Sequence, residues 1–206
     1  VKQRHFIDSH KLVTGLAILL MIAWYGAWDL TSAWVYLALH GIYGVLWFMK
    51  SRIFPDKSWE RRTNFAYGLV IWAGLTLYWV APWILISRGR EAPAWLLGLC
   101  TAMCLLGVYL HFTTDMQKYT ALQLQPEHLI TGGLLARCRN MNYFGELLIY
   151  LSFALLSMHW LPLIILALFI GVVWVPNMLR KDRSLSRYDG FEAYKSSSKF
   201  FIPFVL

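Results

Sequence analysis

Three stretches of this 206-residue chain hold most of the side chains that could bind or transform a ligand: Asp115–Lys118, Gly132–Glu146 and Asp182–Tyr194. The middle one, GGLLARCRNMNYFGE, sets a glycine pair beside two arginines, two asparagines, a tyrosine and a carboxylate. Gly132 and Gly133 permit a tight turn or a close backbone approach to a ligand. Arg137 and Arg139 suit phosphate or carboxylate. Asn142, Tyr143 and Glu146 stand where an apolar helix begins, so a ligand's polar atoms could meet backbone N–H groups at its positive end. Glu146 lies one turn into that helix, a depth at which a carboxylate needs a partner. The same residues also suit a plain helix cap, with snorkelling arginines and Glu146 paired to one of them.

Asp115 and Lys118 are three apart in HFTTDMQKY, just beyond an apolar block, and one helical turn would face both the same way. A surface ion pair would use the same spacing. Lys181, Asp182, Arg183 and Arg187 follow the last apolar block, where they suit a bound ligand or an anionic lipid surface. His40 is the ionisable outlier inside an apolar block, with Tyr36 and Tyr43 a turn away on either side. At that depth it is either functional or a neutral histidine bonded to a neighbouring helix. Cys100, Cys104 and Cys138 form no disulfide framework, and no metal-ligand spacing surrounds them.

The elements that must position these residues are membrane helices. Hydrophobic residues make up 58% of the chain and charged ones 15%, with a mean hydropathy of +0.50, so lipid is its main solvent. Eleven Trp and eleven Tyr suit two membrane–water boundaries. Apolar blocks run over 12–28, 31–49, 64–86, 92–112, 143–158 and 162–179, the fifth slightly short for a span. Of the nineteen lysines and arginines only Arg88 and Arg90 fall in outer loops when the N-terminus is inside. That asymmetry predicts an all-α polytopic bundle of about six transmembrane helices, with both termini cytoplasmic. Tyr188, Phe191 and Tyr194 recur at helical spacing in the tail, which predicts a short amphipathic C-terminal helix. The polar start, VKQRHFIDSHK, lacks a secretory pattern. The net charge of +8 lies in short loops flanking apolar blocks, which argues for lipid contact and against nucleic acid.

Three segments together resemble the C-terminal region of the steroid 5α-reductase-like membrane enzymes: DMQK at 115–118, LITGGLLARCRNMNYFGELLIYLSFAL at 129–155, and FEAYKSSSKFFIPF at 191–204. Asn142-Tyr143-Phe144-Gly145-Glu146 matches that family's Asn-Tyr-Phe/Leu-Gly-Glu segment, and Phe191-Glu192-x-Tyr194 with Ile202-Pro203-Phe204 its terminal signature. Leu39-His40, leading into Lys50–Pro55, is a weaker echo. The resemblance implies NADPH-dependent reduction of a carbon–carbon double bond conjugated to a carbonyl, in a sterol- or polyprenoid-like lipid. It places Asp115, Arg137, Arg139, Asn142, Tyr143 and Glu146 around the cofactor; Lys118, Asp182, Arg183 and Tyr194 are further cofactor-binding candidates from their positions in the chain, and His40, Tyr43 and Glu146 are the catalytic candidates. It also implies one membrane domain over 1–206, with a four-helix part at 1–111 and a cofactor-binding part at 112–206.

The chain departs from the family where a tyrosine should follow the helix-two histidine; that position is Gly41. Arg183 and Ser184 replace the paired histidines of some members. The same superfamily contains isoprenylcysteine and phospholipid methyltransferases that use S-adenosylmethionine. Their Arg-His-Pro-x-Tyr motif reads Arg139-Asn140-Met141-Asn142-Tyr143 here, and their tandem Glu-Glu reads Lys181-Asp182. A third reading is a non-catalytic subunit of a larger membrane complex. The expected partners are membrane lipids and a lipid-soluble substrate, in an endoplasmic reticulum, organelle or bacterial inner membrane.

Overall fold

In lipid a helix satisfies its backbone N–H and C=O groups within its own segment, and the long apolar runs of this chain take that form. The computed structural model describes residues 1–205, and among them helices form and strands do not. The helices are α1 (Gln3–Tyr25), α2 (Thr31–Ile53), α3 (Phe65–Thr76), α4 (Val80–Ser87), α5 (Ala94–Leu124), α6 (Met141–Leu156), α7 (Trp160–Phe169), α8 (Val175–Leu185) and α9 (Phe191–Ser197). Continuous helical stretches over Gln3–Tyr25, Thr31–Ile53, Phe65–Ser87, Ala94–Leu124 and Trp160–Leu185 are long and apolar enough to span, and α6 is a shorter apolar helix. At about 1.5 Å per residue, a helix of sixteen residues falls short of the ~30 Å hydrocarbon core. The protein is a multi-pass integral membrane protein.

Two of the spans are interrupted, each just before a proline. Pro82 has no N–H and its ring crowds the carbonyl of Tyr78, and Leu77–Trp79 tightens into a 3₁₀ turn between α3 and α4. Pro176 does the same to Val172, and Ile170–Trp174 widens into a π-turn between α7 and α8.

The helices also exceed the apolar blocks. The polar lead-in to α1 is helical from Gln3, which carries Asp8, His10 and Lys11 into the interior. α5 continues to Leu124, so Asp115 and Lys118 lie inside it rather than beyond it. The tail helix begins at Phe191, and Tyr188 precedes it.

The chain divides into two units. The first comprises 1–104 and 150–165. Its α1 and α2 cross in direct backbone contact: a Cβ on Gly44 would lie 2.1 Å from the Lys11 carbonyl oxygen, and Gly15 and Gly41 face each other. Its N-terminal residues are tied to the loop after α2 through Gln3 N–H to Arg61 O, Arg4 N–H to Trp59 O, and Thr63 N–H to Val1 O. The second unit comprises 105–149 and 166–206. There α5 and α6 touch at Gly107 and Gly145, where a Cβ on Gly145 would fall 2.5 Å from His111 N. Leu129, Phe191 and Tyr194 form a small core, with Leu185 and Tyr188 packed against it.

Candidate active site

In the second unit the glycine pair makes the turn its sequence permits. Gly133 takes φ 60°, and the Gln117 carboxamide on α5 bridges the turn, donating to Gly132 O at 2.8 Å and accepting from Leu134 N–H at 3.1 Å. Gln117 sits in the DMQK stretch, yet a neutral side chain on a polar helix end gives no sequence signal of such a role.

Arg139 is 5% exposed, and its guanidinium is engaged inside the unit. Nε reaches both Asp182 oxygens (3.3 and 3.2 Å), and Nη2 donates to Asp182 Oδ2 at 3.0 Å. Nη1 donates to Lys195 O, Ser198 O and Ser198 Oγ (3.1, 2.7 and 3.2 Å). Fork-shaped pairing of this kind fixes geometry as well as charge. Lys181 donates to Arg139 O at 2.5 Å and to Asn140 Oδ1 at 3.2 Å, and Asn140 Nδ2 donates to Phe200 O. Residues 137–140 and 198–201 thus lie side by side, with Lys199 N–H on Arg137 O and Arg139 N–H on Lys199 O.

Tyr194 donates its hydroxyl to Leu135 O at 2.8 Å, and burial pushes that phenol up to about 12. Burial likewise raises the Cys138 thiol above its ordinary value, and Cys138 donates to Phe201 O. Arg139, Asp182 and Tyr194 therefore hold the turn together, and a ligand finds their polar atoms already bonded.

Asn142 differs from them. Its Oδ1 is buried without a hydrogen-bond partner among the described residues, on the first turn of α6. Its backbone carbonyl faces His111 Nδ1 at 2.9 Å, and His111 Nε2 lies 3.8 Å from Asp115 Oδ2 one turn along α5. Both His111 and Asp115 are buried. His111 is a residue that sequence reasoning passed over; its i, i+4 spacing to Asp115 was the available signal. Tyr143 is half-buried, its ring 6.0 Å from Trp174. Glu146 and Lys118 are half-buried, and Arg137 and Arg183 are exposed cations. The N–H groups of Tyr143 and Phe144 bond to Asn140 O, so those first-turn donors are used within the chain.

His40 and Tyr43 belong to the first unit. His40 is buried, stacks on Phe153 with ring centroids 4.2 Å apart, and its Nδ1 lies 3.3 Å from the Tyr36 hydroxyl. Tyr43 is fully buried, with its ring edge-on to Tyr150 and beneath the Lys11 ammonium at 4.5 Å.

The model of one protein family, 3-oxo-5-alpha-steroid 4-dehydrogenase, matches residues 92–206, more than half of the chain. The chain belongs to that family. As a 3-oxo-5-alpha-steroid 4-dehydrogenase family member it extends the resemblance seen from residue 112 back to residue 92, so all of α5 is included. No curated protein matches the chain.

Proposed function

We propose that this family member reduces a carbon–carbon double bond conjugated to a carbonyl in a sterol- or polyprenoid-like lipid, with NADPH as the reductant. The observation that carries the reading is the buried, unpartnered Asn142 Oδ1 within the family's Asn-Tyr-Phe-Gly-Glu segment. A buried carbonyl oxygen without a donor costs about 1–3 kcal/mol, a cost that a ligand N–H would remove. The residues around it in sequence and fold fit a dinucleotide. Exposed Arg137 and Arg183 offer charge to phosphates, while the carboxylates of Asp115 and Glu146 can accept from ribose or amide groups.

When bound, NADPH supplies a hydride to the β-carbon. The chain's own contribution is to polarise the carbonyl, for which His40 and Tyr43 are the donors proposed. Asp182, the one carboxylate of the Lys181-Asp182 pair, is held by the Arg139 fork and so serves the chain's own turn.

Purified protein should enhance and blue-shift NADPH fluorescence and oxidise NADPH when given a conjugated enone lipid. A response to S-adenosylmethionine with none to NADPH would replace the reductase reading by methyl transfer.

A further inference from the structure

In the first unit, the start of α1, the end of α2 and the loop that follows enclose a recess. It measures about 300 Å³ where it opens to solvent and narrows to about 20 Å³, room for one water-sized group. Arg4, Asp8, Trp47, Lys50, Asp56 and Glu60 are among its walls. Several of these groups are engaged by the chain itself. Glu60 lies 2.7 Å from Arg4 Nη1 through Oε1 and 2.6 Å from Lys2 Nζ through Oε2. Asp56 Oδ1 accepts from the N–H and Oγ of Ser58 at 2.8 and 2.7 Å. Asp8, 3% exposed, accepts from Ser51 Oγ at 2.7 Å through Oδ2.

Two atoms remain. Asp8 Oδ1 and Arg4 Nε are buried without hydrogen-bond partners among the described residues, and the two side chains stand one turn apart on α1. A carboxylate oxygen only accepts and a guanidinium N–H only donates. An occupant that satisfies both must therefore donate to one and accept from the other.

Charge narrows the choice. Three carboxylates and two cations line the recess. An anion alone would face the carboxylates, and a cation alone would face Arg4 and Lys50. A zwitterion meets both, with charge-assisted bonds at each end. Size narrows it further. The inner room matches a primary ammonium, whereas a trimethylammonium is larger and is held on open aromatic faces. The Trp47 ring already carries the Lys50 ammonium at 4.6 Å and that of Lys11 at 5.0 Å, so it offers no such cage. The ends of α1 and α2 lie where the basic residues predict the cytoplasmic boundary, which is the level of phospholipid headgroups.

We propose that this recess binds the headgroup of an inner-leaflet phospholipid with a primary ammonium, a phosphatidylethanolamine. The ammonium donates to Asp8 Oδ1, and the phosphate accepts from Arg4 Nε beside the Lys50 charge. The site lies wholly within the first unit and does not depend on the reductase reading.

Native mass spectrometry of the full chain in detergent tests this by counting bound lipid. Short-chain phosphatidylethanolamine should bind about tenfold more tightly than the matched phosphatidylcholine, the worth of one charged hydrogen bond. The N-methyl and N,N-dimethyl lipids should fall between them in order. Asp8→Asn should remove most of the difference. Arg4→Lys keeps a charge for Glu60 but loses the Nε donor, and should weaken phosphatidylethanolamine binding several-fold. If Asp8→Asn does not fold, the methyl series on the unmodified chain and Arg4→Lys carry the test. Equal affinity across the methyl series overturns the assignment and leaves the recess to water. Tighter binding of phosphatidylglycerol than of phosphatidylethanolamine also overturns it, in favour of anionic lipid drawn to the basic surface. Displacement of the lipid by an equal concentration of soluble phosphoethanolamine would reject the membrane as the source of the headgroup.

Discussion

Single residues in the second unit divide by whether their polar atoms are already bonded. Tyr194 is a structural case. Its phenol, raised to about 12 against an ordinary value near 10, stays protonated in the folded chain and donates to Leu135 O. A group that holds its proton more tightly when folded contributes stability fully below the unfolded value and loses it as pH rises through the folded one. Thermal unfolding in detergent should therefore show Tyr194→Phe destabilised by about 1–3 kcal/mol at pH 8, because Leu135 O loses its donor. The gap between the two proteins should narrow from pH 10 towards pH 12. Glu146 is half-buried at the end of the family's Asn-Tyr-Phe-Gly-Glu segment. Glu146→Gln should weaken NADPH binding about tenfold or more, the worth of one charged hydrogen bond, with little change in melting temperature. A collapse of stability with nucleotide affinity intact would make Glu146 a structural partner.

At the scale of elements, contacts between helix backbones decide where the side chains go. Gly44 lets α1 approach α2 closely enough to put Lys11 among aromatic rings, and Gly107 with Gly145 presses His111 against the start of α6. Gly44→Ala would place a carbon 2.1 Å from the Lys11 carbonyl oxygen. Relief requires α1 and α2 to separate, at an overpacking cost of about 1–3 kcal/mol or more. Gly98→Ala on α5 meets nothing within 4 Å and serves as the control. A thermal scan should show a clear loss for the first and none for the second. The hydropathy pattern stops at residue 112, yet α5 runs on to Leu124, and Gln117 within that extension bonds to the turn at Gly132 and Leu134.

At the scale of the whole molecule, the distribution of basic residues predicts the orientation in the membrane. Exposed Lys57 and Ser196 should lie on the cytoplasmic side and exposed Arg88 on the other. Cysteines introduced at these three positions test this with a membrane-impermeant maleimide. In sealed vesicles with the cytoplasmic face outward, Lys57→Cys and Ser196→Cys should be labelled, and Arg88→Cys only after permeabilisation. Labelling of all three from outside would discard the orientation.

Membrane class, the all-helical fold and the family's Asn-Tyr-Phe-Gly-Glu segment were legible in the chain, because hydropathy and a contiguous motif are local properties; of the six spans expected, five are long enough to cross and α6 is shorter. The tail helix was legible for the same reason, through the spacing of Phe191 and Tyr194. The partners of Arg139 were not. Asp182, Lys195 and Ser198 lie more than forty residues away, and only the fold decides that this guanidinium clamps its own chain while Asn142 keeps an unbonded oxygen. Lys11 was hidden in the same way: beside Asp8 and His10 it reads as a polar lead-in. A close helix crossing and a tyrosine 139 residues later make it a buried cation. Composition determines which solvent a helix must satisfy, but a polar side chain's role depends on which atoms the fold brings within hydrogen-bond reach.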